Sequence, residues 1–77
     1  MNKNRRERID EANGLVTHAL QILREVVDEE SEALEGVPDT FETKRERMET
    51  DIDALQEATD NLEATESLLQ QTVDGGD

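Results

Sequence analysis

The stretch from Glu35 to Glu46, Glu-Gly-Val-Pro-Asp-Thr-Phe-Glu-Thr-Lys-Arg-Glu, interrupts an otherwise helical pattern and decides the fold. Gly36 follows a helical run and suits the left-handed position that ends helices, because it has no Cβ to clash there. Val37 can fold back on the last turn, as the apolar residue of a Schellman ending does. Pro38 disfavours helix at the residue before it and has no N–H to donate, so the chain turns. Two restart signals follow: Asp39 with Glu42, and Thr43 with Glu46, each put an acceptor at an N-cap and a carboxylate three residues on. The second helix starts at Thr40, or at Lys44 after a separate turn over 39–42. The organisation expected is one domain, with helix 4–35, turn 36–42, helix 43–73 and a flexible tail 74–77.

On the N-terminal side of the hinge, Asn4 with Glu7 offers a capping box, and apolar residues then recur in alternating threes and fours: Ile9, Ala12, Val16, Ala19, Leu23, Val26 and, past a polar Glu30, Ala33. Leu20, Val27 and Leu34 form a second column beside this seam, and Leu15 with Ile22 a third on the other flank. A stripe this wide belongs to a helix facing more than one neighbour. Gly14 inside the helix reads as a tolerated weak point, in preference to a site of close helix approach or a break at Asn13-Gly14.

On the C-terminal side, Phe41, Met48, Leu55, Leu62 and Leu69 fall seven apart, with Ile52, Thr59 and Val73 in the companion column beside Arg45 and Glu66. Met48 at this spacing is core filler, not a ligand. Folding about Pro38 places Leu23 and Val26 against Ile52 and Met48, Ile9 against Glu66 and Leu69, and Glu30 beside Arg45 or Arg47. The fold class expected is all-α: an antiparallel, coiled-coil-like helical hairpin. A hairpin alone would leave the Leu20, Val27 and Leu34 column wet, and 77 residues bury little core. These three are therefore the expected self-association residues of a homodimer forming a four-helix bundle.

Composition limits the function. The chain has no cysteine, which excludes disulfides and thiolate metal sites and points to a cytoplasmic location. Its longest apolar runs are two residues, so no membrane partner is expected. A single aromatic residue, Phe41, and a net charge of −13 argue against direct nucleic-acid binding. The charge is uneven: residues 1–8 carry +3, 9–43 carry −9, 44–47 carry +2 and 48–77 carry −9. The basic end of Lys3, Arg5, Arg6 and Arg8 opposes its own helix dipole, and an antiparallel hairpin would bring it to the acidic end of the second helix.

No catalytic constellation stands out, and no cofactor or metal is expected. His18 is the only histidine and lacks a nucleophile or ligand partner. Glu29-x-x-Glu32 and Glu57-x-x-Asp60 resemble the metal-binding pattern of all-α nucleotide pyrophosphatases. With 21 acids in the chain such matches arise by chance, and the hinge keeps the two pairs at different heights. What remains is the acidic surface: Asp28, Glu29, Glu32 and Glu35 on the first helix, with Asp53, Glu57 and Asp60 on the second. Carboxylates three or four residues apart on a helix are about 6 Å from one another, which suits a basic, nucleic-acid-binding groove. On residues alone, an ordinary solvated surface is favoured over such mimicry.

From Val27 onward the chain resembles a group of small, uncharacterised acidic phage and prophage proteins. The shared residues are Asp28-Glu29-Glu30-x-Glu32-Ala33, Pro38 before Phe41, Glu46-Arg47, Ile52-Asp53-x-Leu55-x-Glu57-Ala58 and Leu62-Glu63. It departs from that group in having Val37 and Phe41 around the proline and in a more Thr-rich second arm. The resemblance implies a viral origin and a role in a host cell. The resulting expectation is a non-enzymatic interaction protein that inhibits a basic host protein, a nucleic-acid-handling or defence factor, through Asp28, Glu29, Glu32, Glu35, Asp53, Glu57 and Asp60. The alternative is a structural oligomerisation module whose acids provide only solubility.

Overall fold

A computed structural model describes residues 1–75. Two α-helices of 33 residues each, α1 (Lys3–Glu35) and α2 (Glu42–Asp74), pack against each other as a hairpin. Among the described residues no helix is long and apolar enough to cross a membrane. The tail expected at 74–77 differs in part: α2 runs through Asp74 with Gly75 as its cap, and Gly76 and Asp77 lie outside the described residues.

The helix ends correct the sequence reading in detail. Asn2, not Asn4, caps α1, its Oδ1 accepting from the Arg5 N–H at 2.8 Å. Gly36 has φ −84° and ψ −5°, so it is right-handed and no Schellman ending forms. Instead the Gly36 and Val37 N–H groups donate to the carbonyls of Ala33 and Leu34, both at 3.1 Å, tightening the last turn into 3₁₀ geometry. Neither anticipated restart of the second helix is used. Phe41 donates to the Pro38 carbonyl at 3.0 Å to close a turn, and α2 begins at Glu42 with no side-chain cap.

Arg45 locks this turn. Its Nη1 donates to the Val37 carbonyl at 2.7 Å and the Leu34 carbonyl at 3.2 Å, and Nε lies 3.9 Å from Asp39. A guanidinium is thus placed at the C-terminus of α1, where orphan carbonyls and the helix dipole both favour positive charge and α1 has no basic residue of its own in the last turn. The expected pairing of Glu30 with Arg45 or Arg47 does not occur among the described residues. Glu30 lies along a groove with Asp51, Ala54 and Leu55.

The seam of α2 is as expected, with Met48, Ile52 and Thr59 buried and Leu55, Leu62, Leu69 and Val73 half-buried, but Phe41 is 57% exposed. The buried Thr59 hydroxyl is satisfied by its own helix, donating to the Leu55 and Gln56 carbonyls. In α1 the column of Ile9, Val16, Leu23 and Glu30 is as expected, and its companion column is corrected by one residue. The inward positions are Ile9, Asn13, Val16, Leu20, Leu23, Val27, Glu30 and Leu34, an unbroken alternation of fours and threes. Leu20 is only 1% exposed, and Val27 and Leu34 are half-buried, so the column expected to stay wet is the core of the single hairpin. Bulk decides the rotation: this column carries Leu, Val and Leu, whereas Ala12, Ala19 and Ala33 in the expected seam bury too little apolar area.

Register differs too. Thr17 donates to Glu66 at 2.5 Å and Asn13 Nδ2 to Gln70 Oε1 at 3.4 Å, whereas folding about Pro38 would place Glu66 near Ile9. The arms are staggered, α2 starting beyond the end of α1, so that the molecule is 59 Å long although each arm spans only about 50 Å.

α1 runs unbroken through Gly14, and a Cβ built there meets nothing within 4 Å. Close helix approach is thus not its reason. Gly14→Ala is expected to stabilise the hairpin by about 1 kcal/mol. A urea midpoint that falls instead of rising would contradict the open surroundings of this position.

Candidate functional site

With the inward columns established, every other residue falls on a definite side of the hairpin at about 100° per residue. The Arg24–Glu63 ion pair at 2.5 Å bridges the helices on one flank, and Asn13–Gln70 and Thr17–Glu66 lie toward the same side. Since Arg24 and Glu63 are each about half exposed, the pair adds at most about 1 kcal/mol and serves mainly to mark the flank.

That flank is acidic. Glu7, Asp10, Asp28 and Glu35 of α1 lean toward it, as do Glu46, Glu49, Asp53, Asp60 and Glu63 of α2. Lys3 and Arg24 on this flank are each matched to an acid of the same flank, Lys3 to Glu7 at 4.0 Å. The candidate partner-binding residues divide accordingly. Asp28, Glu35, Asp53 and Asp60 share this flank. Glu32 and Glu57 sit on the outer backs of α1 and α2 and point away from each other, and Glu29 leans to the opposite flank. All seven are exposed. The hairpin therefore brings four of them to one surface and disperses three.

The opposite flank is different in kind. From Ala12 to Val26 on α1 it presents Ala12, Leu15, Ala19, Ile22 and Val26, and from Ala54 to Thr72 on α2 it presents Ala54, Ala58, Asn61, Thr65, Leu68 and Thr72, with no charged residue among them. Leu15 is 68% exposed, Leu68 61% and Ile22 49%. Charges return only at the ends, as Arg5 and Arg8 on one side and Glu29, Lys44, Arg47 and Asp51 near the hinge. Leu68 escaped the sequence reading because it adjoins the core residue Leu69. Its offset of two positions from Glu66, matching Leu15 and Ile22 after Asn13 and Leu20, is the signal that reveals it.

The pyrophosphatase-like carboxylates do not converge, and no group of His, Asp or Glu able to hold a metal ion exists among the described residues. His18 lies exposed on the back of α1. At the hinge an open groove of about 750 Å³ runs past Phe41, Lys44, Arg47, Met48 and Asp51. At the other end Lys3, Arg6, Glu7 and Asp10 line a groove with Val73, which brings the basic N-terminus alongside the last turns of α2, where that helix has no basic residue of its own. Compared with known proteins, the chain matches no family model, no curated protein and no solved structure.

Proposed function

We propose that the chain is a non-catalytic interaction protein of the phage type, whose acidic flank docks on a basic surface of a host nucleic-acid-binding or defence protein in the cytoplasm and blocks it. The observation that supports this reading is the segregation of charge: Asp28, Glu35, Asp53 and Asp60 share one flank on which Lys3 and Arg24 are each matched to an acid, while the other flank is uncharged over most of its length. The field of such a flank steers cationic partners and repels nucleic acid.

A basic DNA-binding protein challenged with duplex DNA provides the test. The hairpin should compete with the duplex, and replacing Asp28, Glu35, Asp53 and Asp60 by Asn or Gln should weaken that competition about tenfold or more, at roughly 0.2–1 kcal/mol per exposed pair. Competition that survives the four neutral substitutions would end the proposal. The uncharged flank supports a second reading, a structural assembly module. In that case partners should depart on changing Leu15 or Ile22 and not on neutralising the acids.

A further inference from the structure

We propose that the uncharged flank is the contact surface of a homodimer in which a second copy lies antiparallel, hinge to open end, with the two-fold axis passing between His18 and Ala19. The stripe on α1 is self-complementary in this arrangement. Reversing it about a point between His18 and Ala19 sets Leu15 of one copy opposite Ile22 of the other, and brings Ala12 within one residue of Val26 and Ala19 within one residue of its own copy. Small residues at the axis allow the helices to approach to about 8 Å, and the larger ones fill the space on either side. The same reversal sets Arg8, at one end of the stripe, opposite Glu29, at the other, so two ion pairs of opposite charge close the interface. The parallel alternative would oppose Arg8 to Arg8 and Glu29 to Glu29. On α2, the register of Asn13 with Gln70 and Thr17 with Glu66 puts residues 64 and 65 level with this axis, so Leu68 meets Asn61 under the same operation.

Surface area argues for a second copy as the occupant. The hairpin exposes 5788 Å², whereas a compact monomer of 8.7 kDa exposes about 4,700 Å². The excess of about 1,100 Å² exceeds the roughly 800 Å² that each partner buries in a standard interface. The net charge of −13 does not oppose the contact locally, because the acidic flanks of both copies face outward. This inference stands whether or not the acidic flank binds a basic protein.

The chain has no cysteine, so a single introduced thiol reports the axis without interference. Ala19→Cys should oxidise to a covalent dimer at micromolar concentration, while Glu57→Cys, on the outer back of α2, should not. In sedimentation equilibrium the native chain should be a dimer and Leu15→Glu/Ile22→Glu a monomer of unchanged helicity. Arg8→Glu should weaken self-association about tenfold or more, since it opposes two acids, and adding Glu29→Arg should restore it. A monomeric native chain, a dimer that persists in Leu15→Glu/Ile22→Glu, or cross-linking through Glu57→Cys in preference to Ala19→Cys would each overturn the arrangement.

Discussion

Leu20→Ala is expected to lower the unfolding free energy by about 3 kcal/mol, at the lower part of the range for truncating a fully buried leucine. Among the described residues, Leu20 is the one large side chain that the hairpin buries almost completely, at 1% exposure, and its surroundings are two helices with no third layer to collapse into the void. A domain of this length is stabilised by only about 4–11 kcal/mol, so the loss takes a large share of the total. Urea unfolding followed by far-UV circular dichroism, repeated at several protein concentrations, measures it. Leu15→Ala, on a side chain 68% exposed, provides the contrast: it should leave the stability of the isolated hairpin nearly unchanged. If the two variants lost equal stability, the rotation of α1 described above would be wrong.

Asn13→Leu is expected to do the reverse and raise stability by about 2 kcal/mol, the cost of a buried polar atom without a partner. Asn13 occupies an inward position at 6% exposure. Its Nδ2 makes one long hydrogen bond to Gln70, and its Oδ1 is buried without any partner. Leucine removes the orphan acceptor and adds apolar area to the seam, and the released Gln70 is exposed enough to bond water. The melting temperature should rise by about 10 °C for a chain of this size. A polar residue at such a position holds register, so the more stable variant should also align its arms less uniquely. Paired cysteines placed across the arms at positions 17 and 66 should then cross-link less completely than in the native background. A fall in melting temperature would show that Oδ1 has a stabilising partner.

The two arms differ in how plainly their residues announce their orientation. In α2 the inward columns hold Met48, Ile52, Leu55, Thr59, Leu62 and Leu69, flanked mostly by acids, amides and small residues, so periodicity alone finds the buried face. In α1 two apolar columns lie one residue apart, and the true one is interrupted by Asn13. Counting apolar letters favours the column of Ala12, Ala19, Val26 and Ala33, while side-chain volume favours Leu20, Val27 and Leu34. Because Ile9, Val16, Leu23 and Glu30 belong to both readings, moving the companion column by one residue turns the inward face by about 50°, and with it the direction of every acid on α1. The position of the candidate site was therefore less legible than its composition. The stagger was less legible still, because the signals around Pro38 mark where helix stops without saying how far the chain travels before it reverses. Arg45, which reaches back to Val37 and Leu34, holds that geometry and looks in sequence like one more seam residue.

The arrangement of cross-arm contacts also sets a clock. Arg45 bonds to carbonyls 8 and 11 residues away, whereas Arg24–Glu63, Thr17–Glu66 and Asn13–Gln70 join residues separated by 39, 49 and 57. Closing the last of these first would restrict a long loop. Closing them in order from the hinge requires only a small loop increment each time, and short-range contacts form fastest. The chain is thus expected to zip from Arg45 outward, with amide hydrogen exchange fastest at the open end. On this order the basic residues near the N-terminus should be released on a shorter timescale than the rest of the molecule.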